Sequence, residues 1–473
     1  MLDVHRRVES NSVNRDASST IDKLRPSGAV LDIVRRLEDA GFETWCVGGA
    51  VRDALLGHPN LDWDIATAAT PQQVRRLFRR TIPVGIEFGT VGVLDEHGTL
   101  HEVTTFRRDV KTDGRHAVVE FGASLDEDLA RRDFTINAIA YSSTRKILHD
   151  PFGGRDDLER RIVRAVGVAN ERMREDRLRA LRAVRFASRF GFEIEPATWR
   201  AIVDSAPHLG RLSMERVKQE LEKTMDQVEC PSRALTLWRE SGALRALIPS
   251  LAEVSDLTLA SLDELQRPQP APGTHPERRI NRLTALFAEL EPGTVERATR
   301  ALRFSNADVA WISGVLSRWR AIEPELLASL PGADLEDHGV SSEEGGRTGL
   351  ASMPGDPSIR RWVGIMGRTR SPSVLRIAAA RFAAARALGA PAPSAGASRA
   401  LYRRAMRIAF RDPVEIGDLA IDGDDLRSAG IPPGPALGQI LQRLLDDVLE
   451  NPERNTGTWL IDRASALYNA HLR

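Results

Sequence analysis

The chain contains only two cysteines, Cys46 and Cys230, among its 473 residues. Two thiols cannot build a disulfide framework or a cysteine-rich zinc site, so the composition predicts a protein of a reducing compartment such as the cytoplasm. The sequence also has no run of about 18 uncharged apolar residues, which is the length that a membrane-spanning helix requires. We therefore expect a cytoplasmic protein that does not enter a membrane.

The chain also has no formal net charge, because its 66 basic residues balance its 66 acidic ones. Proteins that coat nucleic acid through bulk charge are strongly basic, so this class is excluded and any contact with RNA must be local. A local excess does occur between residues 160 and 223, where fifteen basic residues accompany nine acidic ones. Such an excess can hold an RNA backbone, although a solvated helical face explains part of it too.

The chain is too long for one ordinary core, so several packed units are expected. Residues 1–25 are polar and lack the apolar core of a secretory signal, which predicts a disordered lead. Residues 26–158 alternate helical and strand patterns, whereas long helical patterns dominate afterwards. We therefore predict an α+β head followed by all-α domains. Their expected boundaries are a neck at 159–225, a body at 226–390 and a tail at 391–473.

Three stretches interrupt the helical patterns of the predicted body and tail, and the first is the proline-rich segment RPQPAPGTHPERR at 267–279. Residues 331–357 are rich in glycine, serine and acidic residues and poor in apolar ones, which is typical of a flexible insertion. Residues 390–398, APAPSAGAS, have the composition of a linker. We therefore expect the insertion to lie within the body and the linker to precede the tail.

The segment CVGGAVRDALLGHPNLDWDIATAATP contains a pair of acids, Asp62 and Asp64, separated by Trp63. In a strand, alternate side chains share a face, so both carboxylates would point the same way while the indole packs behind them. Two such carboxylates can hold two Mg²⁺ ions about 3.5 to 4 Å apart, which stabilise the attacking and leaving oxygens of a phosphoryl displacement. Since about nine pairs of this spacing are expected by chance, the pair alone is weak evidence.

Gly48 and Gly49 follow the strand pattern TWCV in the same segment. Without a Cβ atom, these residues let backbone N–H groups approach a triphosphate, and Arg52 lies close enough in sequence to neutralise phosphate charge. A pair of glycines is by itself more often an ordinary turn. The combination with the two acids is therefore what indicates a nucleotide site.

Glu102, in HEVTTFRRD, is a candidate for a third catalytic carboxylate. Its strand pattern would bury Val103 and Phe106 and leave the glutamate on the other face. An exposed strand acid without a function explains this pattern equally well.

Further motifs occur in a fixed order. Between residues 42 and 225 the chain contains VGGAVRDALLG, DWDIAT, EVTTFR, TDGRHAVVEF, DLARRDFTINAIAY, DPFGGRDDLERRIVRAVG and EDRLRALRAVRFASRFGFEIE. In this order they resemble the class II tRNA nucleotidyltransferase and bacterial poly(A) polymerase family. A segment near the C-terminus, DLAIDGDDLRSAGIPPGPALGQILQRLLDDVLENPERNT, is similar to the tail of bacterial CCA-adding enzymes, whereas residues 226–400 resemble the family weakly. The resemblance implies a head with the mixed sheet of polymerase β-like nucleotidyltransferases, an RNA-binding neck and a tail that anchors tRNA.

In DLARRDFTINA, the resemblance assigns Arg132 to the incoming nucleotide and places Asp128 and Asp133 near its sugar. A guanidinium suits a phosphate or ribose oxygen because its donors form a rigid fork. Without the neighbouring motifs, an ion pair between residues four apart on a helix surface would be the simpler explanation.

In EDRLRALRAVRFASRF, we predict one helix with Asp176 and Arg179 on the same face. A carboxylate beside a guanidinium matches the Watson–Crick edge of cytosine and, after a modest shift of the arginine, that of adenine. The resemblance implies that these two residues read the base, while Arg182 and Arg185 hold phosphates or the far side of the nucleotide. A solvent face with salt bridges would explain the arginines equally simply.

These motifs together predict a Mg²⁺-dependent enzyme that adds C, C and A to the 3′ end of tRNA from CTP and ATP. The RNA 3′-hydroxyl would attack the α-phosphate and release pyrophosphate. A poly(A) polymerase would share the same residues, but no lysine precedes the aspartate pair in GHPNLDWD and no long basic C-terminal extension is present. The motifs also fit enzymes that add only the final A or only CC, and a catalytically inactive RNA-binding relative. The sequence leaves the oligomeric state open.

Overall fold

The computed structural model describes residues 21–58, 62–112, 117–265, 276–332 and 353–471. It divides into two compact units, the first comprising 1–220 and 237–247 and the second 221–236 and 248–473. Most of the predicted lead and residues 333–352 of the predicted insertion lie outside the described residues. The predicted division of the helical part into neck, body and tail is finer than these two units and stays a prediction.

The first unit contains a mixed sheet of seven strands in the order β3-β4-β5-β2-β1-β8-β9. Its strands are β1 (Thr44–Val47), β2 (Asp64–Thr67), β3 (Thr81–Gly85), β4 (Thr90–Leu94), β5 (Leu100–Thr105), β8 (Ala140–Ser142) and β9 (Ile147–His149). Two smaller sheets pair β6 (Arg107–Thr112) with β7 (Ala117–Phe121) and β10 (Ile162–Val163) with β11 (Glu193–Ile194). Within the large sheet β2 and β5 run parallel and the other pairs are antiparallel.

Strand β1 lies between β2 and β8, and all four of its residues are buried. Its sequence, TWCV, is rich in the aromatic and β-branched residues that suit a sheet. Trp45 and Val47 pack with Phe106 and Leu129 in one apolar core. The same core includes Ala66 of β2, the strand that begins at the predicted acid Asp64.

α-Helices occur between these strands and continue the chain as far as residue 247. They are α1 (Gly28–Asp39), α2 (Gly49–Leu55), α3 (Pro71–Leu77), α4 (Leu125–Ala130), α5 (Gly154–Glu159), α6 (Ala169–Glu175), α7 (Leu178–Phe190), α8 (Pro196–Ser205), α9 (Met214–Gln227), α10 (Pro231–Glu240) and α11 (Ala243–Leu247). Several begin with a residue that caps free backbone N–H groups, such as Ser27 before α1.

The prediction of one helix through EDRLRALRAVRFASRF is wrong at its start. Helix α6 ends at Glu175, Asp176 has extended backbone angles (φ −147°, ψ 104°), and α7 begins at Leu178. The carboxylate of Asp176 accepts a hydrogen bond from the backbone N–H of Leu178 at 3.1 Å. An aspartate that bonds a nearby backbone N–H favours a helix boundary over a helix interior, which is the physical reason for the break.

Beyond residue 247, every regular element that the structure describes is helical. These helices are α12 (Asp256–Glu264), α13 (Pro276–Leu286), α14 (Pro292–Ala301), α15 (Asn306–Ser329), α16 (Asp356–Met366), α17 (Ser371–Ala387), α18 (Ala395–Arg411), α19 (Gly423–Ser428), α20 (Pro435–Glu450) and α21 (Gly457–His471). The predicted α+β head followed by a helical remainder is confirmed. Helix α18 begins inside the segment predicted as a linker, because Ser394 accepts from the N–H of Ala397 and caps it.

The core of the second unit contains large aromatic side chains and one arginine. Trp319, Trp362 and Arg282 are almost fully buried. The guanidinium of Arg282 donates to the backbone carbonyls of Leu262, Met225, Val228 and Glu229. These bonds compensate for the loss of water around the charge. None of the described helices is both apolar and long enough to cross a membrane.

Candidate active site

Asp64 is the first residue of β2, and Glu102 is the third residue of the neighbouring strand β5. Asp62 lies two residues before β2, so the strand predicted to carry both aspartates begins only at Asp64. In the parallel register of β2 and β5, Asp64 and Glu102 each stand one residue before the first recorded pair. All three acids are exposed, whereas Trp63 and Val103 are buried. The alternation is therefore the predicted one, with the carboxylates on the solvent side and the indole behind them. Phe106, the second residue expected in the core, is also buried.

The electrostatics of Asp64 show that these acids act on one another. Partial burial, together with the charges of Glu102 and Asp62, raises the pKa of Asp64 to about 6 against the opposing charge of Arg132. Asp64 keeps solvent contact, but enough protein surrounds its carboxylate to weaken hydration. Negative charges held this close to one another favour the binding of a cation.

The donors present fit a divalent ion that shares its ligands with a substrate. Among the described residues, no three side chains of the His, Cys, Asp and Glu types converge on one ion. Mg²⁺ commonly binds through one or two carboxylates together with substrate phosphates, and not in an all-protein cage. An open carboxylate pair such as Asp62 and Asp64 is compatible with that arrangement.

The raised pKa of Asp64 predicts pH-dependent cation binding. With a pKa of about 6, the carboxyl is mostly protonated at pH 5 and mostly ionised at pH 7, and only the ionised form binds a cation. We therefore expect the affinity for Mn²⁺, measured by calorimetric titration, to be about tenfold lower at pH 5 than at pH 7. Asp64→Asn should remove this difference. Equal Mn²⁺ affinities of the unsubstituted protein at both pH values would contradict the prediction.

The backbone at Gly48 lies close to both Asp64 and Arg132. Its φ of +76° lies in the region that favours glycine. A Cβ atom at this position would lie 2.7 Å from Nη1 of Arg132 and 3.6 Å from Oδ2 of Asp64. The guanidinium of Arg132 therefore lies against Gly48 and close to Asp64. The Cβ position of Gly49 lies 3.6 Å from Nη2 of Arg52.

Gly48→Ala is expected to reduce nucleotide transfer about tenfold, because the new methyl group would displace Arg132 from Asp64. The measurement is incorporation of labelled nucleotide into RNA. Gly41→Ala is the matched control, since Gly41 also has a positive φ (+85°) but nothing within 4 Å of its Cβ position. Both variants should lose similar thermal stability, and equal activities of the two would argue against a role for the Gly48 contact.

Arg132 is oriented by a buried carboxylate. Asp128, whose side chain is 2% exposed, accepts from Nη2 of Arg132 at 3.2 Å and from Nε of Arg131 at 3.1 Å. Nη1 of Arg132 also donates to the carbonyl of Asn137 at 3.4 Å. The ion pair between residues four apart is therefore present, and it holds Arg132 over Gly48. The predicted contact of Asp128 with a sugar stays a prediction.

Asp133 links this motif to helix α7. It accepts from Nδ2 of Asn137 at 2.8 Å and from Nε and Nη2 of Arg182 at 2.9 and 2.8 Å. Burial disfavours the charged carboxylate, but the charge of Arg182 and the hydrogen bonds from both partners outweigh it, so the pKa of Asp133 lies below its ordinary value. Asp133 and Arg182 therefore form a charged pair across 49 residues of sequence.

Arg52 does not face the acids in this structure. Its side chain is 4% exposed, with Nε donating to Asp53 at 2.6 Å and Nη1 to the side chain of Asn137. The guanidinium also lies 5.0 Å from the ring centroid of Phe186 and 4.8 Å from that of Phe190. Burial lowers the pKa of Arg52 in spite of Asp53. These contacts favour a role in fixing α2 against α7, and its binding of phosphate stays a prediction.

Arg185 is enclosed in a similar way. Its Nε donates to Glu220 at 2.7 Å, and its guanidinium lies 4.4 Å from the ring centroid of Phe186. Burial lowers the pKa of Arg185, and the charge of Glu220 opposes this shift. These contacts favour a role in fixing α7 against α9, and the contact of Arg185 with a nucleotide stays a prediction.

Asp176 and Arg179 have separate protein partners. Asp176 accepts from Nη2 of Arg216 at 2.7 Å. Nη1 of Arg179 donates to Glu175 at 2.6 Å, and its Nη2 donates to the backbone carbonyl of Arg131 at 2.9 Å. The two proposed base-reading side chains are thus each oriented by other protein groups.

Three residues of this region were not identified from the sequence. Asn137 contacts Asp133, Arg52 and Arg132 together, and it lies inside the quoted motif DLARRDFTINA. Glu175 directly precedes Asp176 in EDRLR, so its position next to the proposed base-reading pair was a usable signal. Glu220 pairs with Arg185 from helix α9, and no local pattern marks that contact.

Comparison with known proteins places these motifs in a named group. The family described as Poly A polymerase head domain matches residues 44–164, and the probable RNA and SrmB-binding site of polymerase A matches residues 191–254. The CCA-adding enzyme of Geobacillus kaustophilus is 36% identical over 450 residues, covering 93% of this chain and 97% of its own length. That of Lactiplantibacillus plantarum is 34% identical over 92% of this chain and 95% of its own.

Solved structures show the same similarity. The CCA-adding enzyme of Bacillus stearothermophilus in complex with CTP matches with a TM-score of 0.72 and 32% identity, over 94% of this chain and all of that one. The Thermotoga maritima CCA-adding enzyme complexed with tRNA matches with a TM-score of 0.62 and 20% identity, over 95% of this chain and 98% of its own. At that identity the second likeness supports the fold alone.

Proposed function

Because this chain belongs to the CCA-adding enzyme family, we propose that it adds C, C and A to the 3′ end of tRNA from CTP and ATP. The observation that carries the proposal is the grouping of three mutually interacting acids, Asp62, Asp64 and Glu102, beside Arg132 at the Gly48 turn. The similarity of relatives over nearly the whole chain supports the same reaction. The enzyme acts, in this proposal, in the cytoplasm.

Asp62 and Asp64 would hold Mg²⁺, with Glu102 next to them. Bound Mg²⁺ would lower the pKa of the RNA 3′-hydroxyl and balance the charge of the departing pyrophosphate. Arg132, held by Asp128, would contact the triphosphate from the other side of Gly48. A preset guanidinium of this kind stabilises charge without reorganising during the reaction.

Asp176 and Arg179 would select the base. In this role, the carboxylate of Asp176 can accept from Arg216 and from a base together, and Arg179 has more N–H donors than its bonds to Glu175 and to the Arg131 carbonyl use. The carbonyl of Arg131 directly precedes Arg132, so base reading and phosphate contact are joined through one peptide bond. Asp133 and Arg182 would hold α7 in place during base selection.

The neck and tail would bind the RNA. We propose that residues 159–225 contact the RNA near its end and that residues 391–473 anchor the rest of the tRNA. The match of residues 191–254 to a probable RNA-binding site of polymerase A supports the first assignment.

A poly(A) polymerase is the nearest rival, since a family named for that enzyme matches the head. Relatives that align over nearly the whole chain are CCA-adding enzymes, which favours CCA addition. Enzymes that add only A or only CC share the proposed residues as well. A catalytically inactive RNA-binding relative is disfavoured because all three acids are present.

The test uses three tRNA transcripts, ending before CCA, after C and after CC. Each is incubated with purified protein, Mg²⁺ and labelled CTP or ATP, and the products are sequenced. We expect every transcript to be completed to CCA and addition to stop after one A. An open A tract would instead indicate poly(A) synthesis, and RNA binding without incorporation would indicate the inactive relative.

A further inference from the structure

Two arginines of the second unit lie against one glycine. Arg370, in the turn between α16 and α17, places its Nε 3.1 Å from the Cβ position of Gly314 on α15, and Arg318 places its Nη1 3.4 Å from the same point. The two nitrogens are therefore no more than 6.5 Å apart. Both residues are partly exposed.

Neither guanidinium has an ion pair among the described residues. Glu415 borders the same region, with Oε1 4.0 Å from the Cβ position of Gly367, but it accepts from the backbone N–H of Arg368 at 3.2 Å. Arg318 donates to the carbonyl of Gly314, which carries no net charge. The pair is therefore a local concentration of positive charge without a described acid bound to it.

Unsatisfied donors are also concentrated here. Buried Nε atoms of Arg318 and Arg370, Nε1 of Trp311 and the hydroxyl of Ser313 have no hydrogen-bond partner within the described part of the chain. Buried polar groups are nearly always bonded, so a cluster of exceptions points to a missing acceptor. Three of the four groups can only donate, which makes this part of the unit rich in donors. The Nη groups of the two partly exposed arginines are the ones that an oxyanion in solvent would meet.

The local structure compensates for the repulsion only in part. The guanidinium of Arg370 lies 5.5 Å from the ring centroid of Trp311, a cation–π contact that favours the charged form. Two like charges at this separation still oppose each other. An anion between or above them would remove that cost, and the arginine forks match phosphate oxygens well.

We propose that Arg318 and Arg370 form a phosphate-binding site on helix α15 and the α16–α17 turn. The identification of an RNA strand as the source rests on the proposed function; free pyrophosphate carries the same chemical group. The site would bind the RNA backbone without reading its sequence, because phosphate contacts position a nucleic acid and do not specify it.

The test compares the unsubstituted protein with the double variant Arg318→Gln and Arg370→Gln. Binding of a tRNA transcript lacking CCA is measured by fluorescence anisotropy between 50 and 200 mM salt. Loss of one phosphate contact should lower the affinity about tenfold and reduce the slope of log affinity against log salt by about one. In the incorporation assay, the KM for tRNA should rise while kcat at saturating tRNA stays unchanged.

Two further measurements distinguish RNA binding at this site from a purely structural role of the arginines and from binding of free pyrophosphate. The melting temperature of the double variant should be equal or higher, because like-charge repulsion is removed, whereas a structural role predicts a lower value. Arg300→Gln is the matched control, since Arg300 is exposed and already paired with Glu296; its RNA affinity should stay at the unsubstituted level. Calorimetric titration with pyrophosphate tests whether the site binds a free phosphate ligand.

The outcomes are distinct. Weaker RNA binding by the double variant supports the RNA source, and pyrophosphate binding lost in the double variant, with RNA binding unchanged, supports a phosphate site for a free ligand. Equal RNA binding together with equal pyrophosphate titrations overturns the inference. Failure of the unsubstituted protein to incorporate CTP or ATP would instead contradict the proposed function. The comparison of RNA binding between the unsubstituted protein and the double variant would still test the phosphate site, because it does not depend on catalysis.

Discussion

Asp64→Asn is expected to abolish nucleotide incorporation, lowering its rate by about a thousandfold or more, which corresponds to about 4 kcal/mol of lost transition-state stabilisation. Asparagine keeps the shape of the side chain but removes the charge that holds the metal ion. The charges of Arg132, Glu102 and Asp62 all act on the Asp64 carboxylate, which places it at the centre of the acidic group. The rate is measured by single-turnover incorporation of labelled CTP into a transcript lacking CCA.

Asp62→Asn should have a comparable effect, because the two acids are proposed to hold the same ions. The affinity of either variant for tRNA should stay within about twofold, since removing an acid does not weaken attraction to phosphates. Glu96→Gln is the matched control: Glu96 is an acid of the same unit whose side chain is 88% exposed, and its loss should leave the rate unchanged. Retained turnover in Asp64→Asn would refute the metal assignment.

Arg179→Ala is expected to blur the choice between C and A. Each pair of hydrogen bonds to a base edge contributes about 1 to 3 kcal/mol of discrimination, so the preference for the correct nucleotide should fall about 5- to 150-fold. The measurement is the ratio of kcat/KM for CTP and ATP on a transcript lacking CCA, together with sequencing of the products. Catalysis with either nucleotide should continue, because the acids are untouched.

Arg200→Ala provides the control for this variant, since Arg200 is an exposed arginine on α8. It should preserve both the ratio and the product sequence. Arg179 also contacts Glu175 and the carbonyl of Arg131, so Glu175→Gln tests whether a change in the arginine's orientation alone alters selection. A product sequence unchanged by Arg179→Ala would contradict the templating role.

Local patterns were sufficient for the strand that carries the acids. The period of two in LDWDIAT and HEVTTF predicts that Trp63 and Val103 are buried, and both are. This works because strand geometry alternates side chains whatever the rest of the chain does. Phe106 is buried as well, but it follows the last residue of β5 and is three residues from Val103, so the alternation does not account for it. The α+β head and the helical remainder follow from the same periodicities.

The environment of each arginine could not be predicted in this way. Arg52, Arg182 and Arg185 share one sequence signature, a basic residue in a motif, yet two of them are buried against phenylalanines and carboxylates. Their partners lie far along the chain, 85 residues away for Arg52 with Asn137 and 35 for Arg185 with Glu220. The helix break at Asp176 likewise depended on one side-chain bond to a backbone N–H.

The amino-acid sequence by itself determined the identity of the candidate catalytic groups, the faces on which they lie and the order of α+β and helical parts, since these depend on residue type and short-range geometry. Only the tertiary structure decided that Glu102 lies beside Asp64, that Arg132 rests on Gly48, and that Arg318 and Arg370 meet at Gly314. The physical reason is that charge interactions and close backbone approach depend on distance in space, and strand pairing and helix packing set that distance.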